Sequence, residues 1–112
     1  MQIIIKAMLL IALYGFAVTE VTPTELFFTA TAYSLRGKTA SGKPTRRGII
    51  AADTRILPLG TKVKIEHPTV GGTYIVADTG SAIINRRIDI WMPNRKDAIN
   101  FGRQKVKLKI IK

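Results

Sequence analysis

Alternation of apolar and polar residues with a period of two recurs along most of the chain. Phe28, Ala30 and Ala32 alternate with Thr29, Thr31 and Tyr33. Val63 and Ile65 alternate with Lys62, Lys64 and Glu66, and Val106, Leu108 and Ile110 with Lys105, Lys107 and Lys109. This period predicts strands with one face turned to a core. Shorter apolar runs over 48–52, 73–77 and 87–91 complete the set. Turn residues separate them: Pro58-Leu59-Gly60, Pro68 with Gly71-Gly72, and Asp78-Thr79-Gly80-Ser81. Residues 36–48, rich in Gly, Ser, Pro and cations, predict a long loop. Only 94–102 reads as a helix in this part, with Asn94 as N-cap, Asp97 in the first turn and Gly102 just past the end. Short strands, one short helix and no internal repeat predict an all-β, small closed barrel.

The N-terminus breaks this pattern. Lys6 precedes an apolar run over 7–18, short of the roughly 20 residues that span a bilayer as a helix. Small residues at Gly15 and Ala17 suit a secretory signal over 1–17, cleaved after Ala17. A membrane contact is expected only through this segment, were it to stay uncleaved. Residues 18–27, polar around Pro23, read as a linker, and 28–112 as the barrel domain.

The chain has 112 residues, which suits one domain. Its 18 Lys and Arg against 7 Asp and Glu give a formal net charge of +11. Loss of 1–17 removes only Lys6, leaving +10. An exported cation of this kind is expected to be drawn to anionic cell-wall polymers. The blander account of the cations is a solvated face that keeps a small protein soluble, and Lys105, Lys107 and Lys109 could blunt an exposed strand edge. A nucleic-acid partner is not expected, since aromatic residues are only 7% and no basic–aromatic stripe occurs. The absence of Cys excludes a disulfide framework and a thiol nucleophile. His67, the one histidine, precedes Pro68 in a turn, lacks a partner for a metal or triad role, and is expected at the surface. No cofactor and no metal are called for.

Against so many cations each carboxylate needs an explanation. Asp53 and Asp78 each follow a predicted strand, where sites on β scaffolds gather; Asx-turns account for them equally well. Asp89 lies within a strand. If Ile88 and Ile90 face the core, Asp89 and Trp91 share the other face. An indole suits a sugar ring, and an apolar neighbour raises a carboxyl pKa as a general acid requires. The competing account of Asp89 is an ion pair with Arg86, Arg87 or Arg95.

Six ordered blocks carry a resemblance: Thr29-Ala30-Thr31-Ala32-Tyr33, Thr39-Ala40-Ser41-Gly42, 48–53 (GIIAAD), 56–61 (ILPLGT), 77–83 (ADTGSAI) and Arg87-Ile88-Asp89-Ile90. Together they resemble the three-aspartate (3D) domain of bacterial cell-wall enzymes, over about 28–111. That domain is similar to the catalytic barrel of membrane-bound lytic transglycosylase A and to stationary-phase survival proteins. The resemblance implies a six-stranded double-psi β-barrel acting on peptidoglycan glycan strands, with the namesake aspartates at Asp53, Asp78 and Asp89. It implies that Asp89 is the catalytic acid. One carboxyl group then suffices: it protonates the leaving glycosidic oxygen and takes the proton of the muramic 6-hydroxyl as that oxygen closes on C1. The three carboxyl groups are expected within roughly 10 Å, the range of glycosidase carboxyl pairs, with repulsion from Asp53 and Asp78 raising Asp89. Tyr33, Thr39, Ser41 and Trp91 are candidates for sugar contacts. Ser81 and Ile84 replace glycines common in the family. A non-catalytic wall-binding barrel of expansin type would need the Trp91 groove but not Asp89. An aspartic protease also shares Asp78-Thr79-Gly80-Ser81, but too little chain follows for that fold.

Overall fold

The computed structural model describes residues 25–112; the expected signal over 1–17 and residues 18–24 of the linker expected over 18–27 lie outside the described residues. Six strands close into one barrel: β1 (Glu25–Tyr33), β2 (Ile49–Ala52), β3 (Lys62–Glu66), β4 (Gly72–Asp78), β5 (Arg87–Trp91) and β6 (Gln104–Ile111), with helix α1 (Arg95–Phe101) between the last two. Their order around the barrel is β1-β5-β2-β4-β3-β6. Pairings β1·β5 and β2·β4 are parallel and the other four antiparallel. This is the six-stranded double-psi β-barrel with one short helix that the resemblance implied. β1 begins at Glu25, inside the segment expected to be linker, because pairing with β6 extends back to Glu25 opposite Lys109.

Where the sequence alternates, the barrel has an inside and an outside. Val63 and Ile65 are buried and Lys62, Lys64 and Glu66 exposed. Val106 and Leu108 point inward from β6, Phe28 and Ala30 from β1, and Ile88 and Ile90 from β5. β2 does not alternate, since all four of its residues are buried. Ile50 and Ala52 face the main core, whereas Ile49 joins Ala77 and Trp91 in a second cluster on the other face, with Tyr33 packed against it. A strand covered on both faces reads as a continuous apolar run.

α1 caps one end of the barrel through Ala98 and Phe101. The Asn94 side chain accepts from the N–H groups of Lys96 and Asp97, 2.8 and 3.3 Å away, as its N-cap role predicts. The other plug comes from a loop. The Asp53 carbonyl accepts from the N–H groups of Ile56 and Leu57, both at 2.9 Å, which turns the chain back so that Leu57 enters the core. Leu57→Ala should cost about 2–5 kcal/mol, the range for emptying a buried leucine site. Urea unfolding of the two proteins, with unchanged m-value, would check it.

Candidate functional site

β5 presents Arg87, Asp89 and Trp91 on the side away from the core. Parallel pairing with β1 sets these against Thr29, Thr31 and Tyr33 in successive rungs. In the middle rung the Thr31 hydroxyl donates to Asp89 Oδ1 at 3.0 Å. The ion pair with Arg86, Arg87 or Arg95 does not form: no cation among the described residues lies within pairing distance of Asp89. Burial pushes its carboxyl above the ordinary range, while the Thr31 hydrogen bond and the Arg87 charge pull the other way. Desolvation wins, so the expected repulsion from two further carboxylates is not what raises it.

On the other side of Asp89 lies β2. Ala51 stands opposite Asp89 in the antiparallel pair and opposite Asp78 in the parallel pair with β4. The second pairing depends on a register shift between Ile50 and Ala51: Ile50 faces Val76, yet Ala51 faces Asp78 rather than Ala77. One extra residue on β4 thus carries Asp78 into the row of Ala51 and Asp89, the kind of re-aiming that bulges provide. Two strand spacings put the two acidic Cα atoms about 10 Å apart with only a methyl group between them.

Tyr33 joins the two acids. Its hydroxyl donates to Asp78 Oδ2 at 3.4 Å. Burial, then the Asp78 and Asp89 charges, push its phenol well above the ordinary value, so it stays a proton donor at any physiological pH. Asp78 Oδ1 accepts from the N–H groups of Ala40 at 3.0 Å and Thr79 at 2.9 Å. The Ala40 bond, with Ser41 N–H on the Ala77 carbonyl at 3.0 Å, lays the 36–48 loop along β4. A cavity of about 210 Å³ opens beside Tyr33 and Asp78, rimmed by Arg36, Lys38 and Thr45.

Five residues sit otherwise than the sequence suggested. Trp91 is only 5% exposed. Its Nε1–H donates to the Leu35 carbonyl at 2.9 Å, and the Arg36 guanidinium lies 5.3 Å from the ring centroid while also reaching the Pro93 carbonyl at 3.1 Å. The indole is therefore covered by the 35–36 segment and supports Tyr33 from below; it is not an open sugar platform. Thr39 is buried, and its hydroxyl donates to the Lys43 carbonyl at 2.6 Å. With that proton used, Ser41 donates to Thr39 Oγ1 across 2.7 Å. These two hydroxyls shape the loop, though Ser41 stays exposed.

Asp53 ends β2 two residues past Ala51, but its carboxylate is fully subscribed. Arg55 Nε and Nη2 donate to it at 3.0 and 2.7 Å, and the N–H groups of Arg55 and Asn85 at 3.1 and 2.8 Å. These bonds, that of the Arg55 side chain first, hold it well below the usual carboxylate range. Asn85 adopts φ 58°, which aims its N–H at Asp53. His67 is half-buried and partnered: Nδ1 accepts from the N–H groups of Thr69 and Val70, so the ring proton sits on Nε2 and reaches Gln104 Oε1 at 2.7 Å.

Comparison with known proteins bears on this arrangement. The 3D domain matches residues 48–112. The cell wall-binding protein YocH of Bacillus subtilis is 36% identical over 96 residues, which is 82% of this chain and 32% of YocH; the chain thus spans about a third of that relative. Among solved structures, E. coli MltA with bound chitohexaose superposes with a TM-score of 0.60 at 22% identity, over 70% of this chain and 28% of MltA. An expansin of Clavibacter michiganensis in complex with cellohexaose gives 0.60 at 18% identity, over 79% of this chain and 50% of the expansin. At such identities the likeness is one of fold.

Proposed function

Because the chain belongs to the 3D domain family, we propose that it is exported to the bacterial envelope and acts there as a peptidoglycan lytic transglycosylase. It would cleave the β-1,4 bond between N-acetylmuramic acid and N-acetylglucosamine and leave a 1,6-anhydro-muramoyl end. The observation that carries this is Asp89: half-buried, pushed toward its protonated form, bonded to one neutral hydroxyl, and facing Asp78 across Ala51.

In the first half of the step, the Asp89 proton passes to the glycosidic oxygen as its bond to C1 breaks. In the second, the muramic 6-hydroxyl oxygen bonds to C1 and its proton goes to the Asp89 carboxylate, which restores the starting acid. No water is consumed and no enzyme bond to the sugar forms. A single carboxyl group whose pKa is raised by burial suits these needs, whereas hydrolysis needs two. Asp78 and Tyr33 are assigned to positioning the sugar: Tyr33 offers a hydroxyl that does not ionise, and Asp78 an acceptor fixed by two N–H groups. Asp53 has no lone pair to spare for substrate and is assigned to holding the loops, together with Trp91, Thr39 and Ser41.

A glycan-binding barrel without chemistry is the competing proposal, and similarity to the cell wall-binding protein YocH favours it. One experiment separates them. Purified sacculi incubated with the protein should release muropeptides with 1,6-anhydro ends, identified by mass spectrometry. Sedimentation of the protein with sacculi and no such product under any condition from pH 4 to 8 would favour the binding barrel.

A further inference from the structure

We infer that the outer face of β3 and β6 is a docking surface for a linear wall polymer with a phosphodiester backbone. The inference rests on the envelope address proposed above, but not on any chemistry at Asp89. Lys62, Lys64, Lys105 and Lys109 are exposed on this face, and none of them has a carboxylate within ion-pair distance among the described residues. Lys107 lies between Lys105 and Lys109, 3.8 Å from Glu66 and over the ring of half-exposed Phe27.

The topology removes protection of a strand edge as the account of Lys105, Lys107 and Lys109. β6 pairs with β1 on one side and β3 on the other, so the closed barrel offers no edge there to protect. One pair on this face opposes stability, beside the favourable pair of Glu66 with Lys107. Lys64 and Lys109 are direct cross-strand partners, and like charges placed opposite one another are destabilising. On the β1 side, Lys105, Lys107 and Lys109 stand in register with Thr29, Phe27 and Glu25.

Alternate residues along a strand are about 6.8 Å apart. Lys105 and Lys109 therefore stand two such steps apart on β6, with Lys107, paired to Glu66, between them, and Lys64 and Lys62 widen the row on β3. A flexible polymer with one phosphodiester per polyol unit carries single negative charges at a similar spacing. It can lie along the row and meet them in turn. In the strand order, β2 is three places from β6 in either direction, so the β6 lysines lie across the barrel from Ala51, the centre of the Asp78–Ala51–Asp89 row, and β3 borders only β4 of that row. Docking there leaves the acidic row free for glycan.

The test uses synthetic poly(glycerol phosphate) as probe, with binding measured by calorimetry at several salt concentrations. Lys64, Lys105 and Lys109→Gln together should weaken binding by about tenfold or more and flatten its salt dependence. Arg95, Lys96 and Arg103→Gln remove the same charge elsewhere and should change it by no more than about threefold. Equal losses in both triple variants, or none in the first, would overturn the proposal. So would tighter binding of a single-stranded oligonucleotide of matched charge. The first triple variant should still release anhydro product from polymer-stripped sacculi as the parent does, so loss of docking and loss of chemistry read out separately. Lys64→Gln alone should raise Tm by about 1–5 °C by removing the opposed charge. A lowered Tm would remove the like-charge argument and count against the proposal.

Discussion

Asp89→Asn should reduce release of anhydro muropeptides by about 10²–10⁴-fold, the usual result of removing a general acid–base group, while sacculus binding persists. Asn keeps the shape of the side chain and can still accept from the Thr31 hydroxyl, but it has no proton of suitable acidity to give. The same substitution should stabilise the protein at neutral pH. Burial raises the Asp89 pKa in the folded state, so the folded protein holds this proton more tightly than the unfolded chain does. The stability that follows is fully present below the unfolded carboxylate value near 3.9 and is lost as pH rises through the higher folded value. The parent should therefore carry a penalty at pH 7 that the Asn variant lacks. Melting curves from pH 3 to 8 should show the variant gaining on the parent across that window. A folded Asp89→Asn protein that releases anhydro product at near-parental rates would move the chemistry to another group.

These two readouts separate roles that the sequence leaves joined. Strand alternation fixed which way Asp89 points: with Ile88 and Ile90 committed to the core, the carboxyl had to face out. What it meets there depends on pairing between strands far apart in the chain. Thr31 comes from 58 residues away, and its place beside Asp89 follows from parallel register alone. The bulge that lifts Asp78 into the same row depends on long-range pairing in the same way, since nothing local marks Ala77 as the extra residue. Trp91 misled for a related reason. Its strand position allowed exposure, and only the loop passing over it at Leu35 and Arg36 takes that away. Asp53 was the reverse case. Its Oδ1 accepts the N–H of Arg55 two residues on, so the Asx-turn account was legible in the local sequence, whereas the reach of Asn85 to the same carboxylate was not.

Asp53→Asn should lower Tm at pH 7 more than the same change at Asp78 or Asp89. The Asp53 carboxylate takes four N–H donors from Arg55 and Asn85, and its own backbone carbonyl starts the turn that seats Leu57 in the core. An amide offers one acceptor oxygen in place of two, carries no charge for the Arg55 guanidinium, and turns an NH₂ group toward one pair of these donors. The pH dependence should run opposite to that of Asp89. Because the folded carboxyl is held well below its usual range, its contribution is present above the unfolded value near 3.9 and is lost as pH falls through the folded one. The gap in Tm between parent and Asp53→Asn should thus be widest at neutral pH and narrow on acidification below about pH 4. At a temperature where the variant is fully folded, release of anhydro product should stay within a few-fold of the parent, since no lone pair on Asp53 faces substrate. A variant as stable as the parent at pH 7 but without activity would place Asp53 in the chemistry beside Asp89.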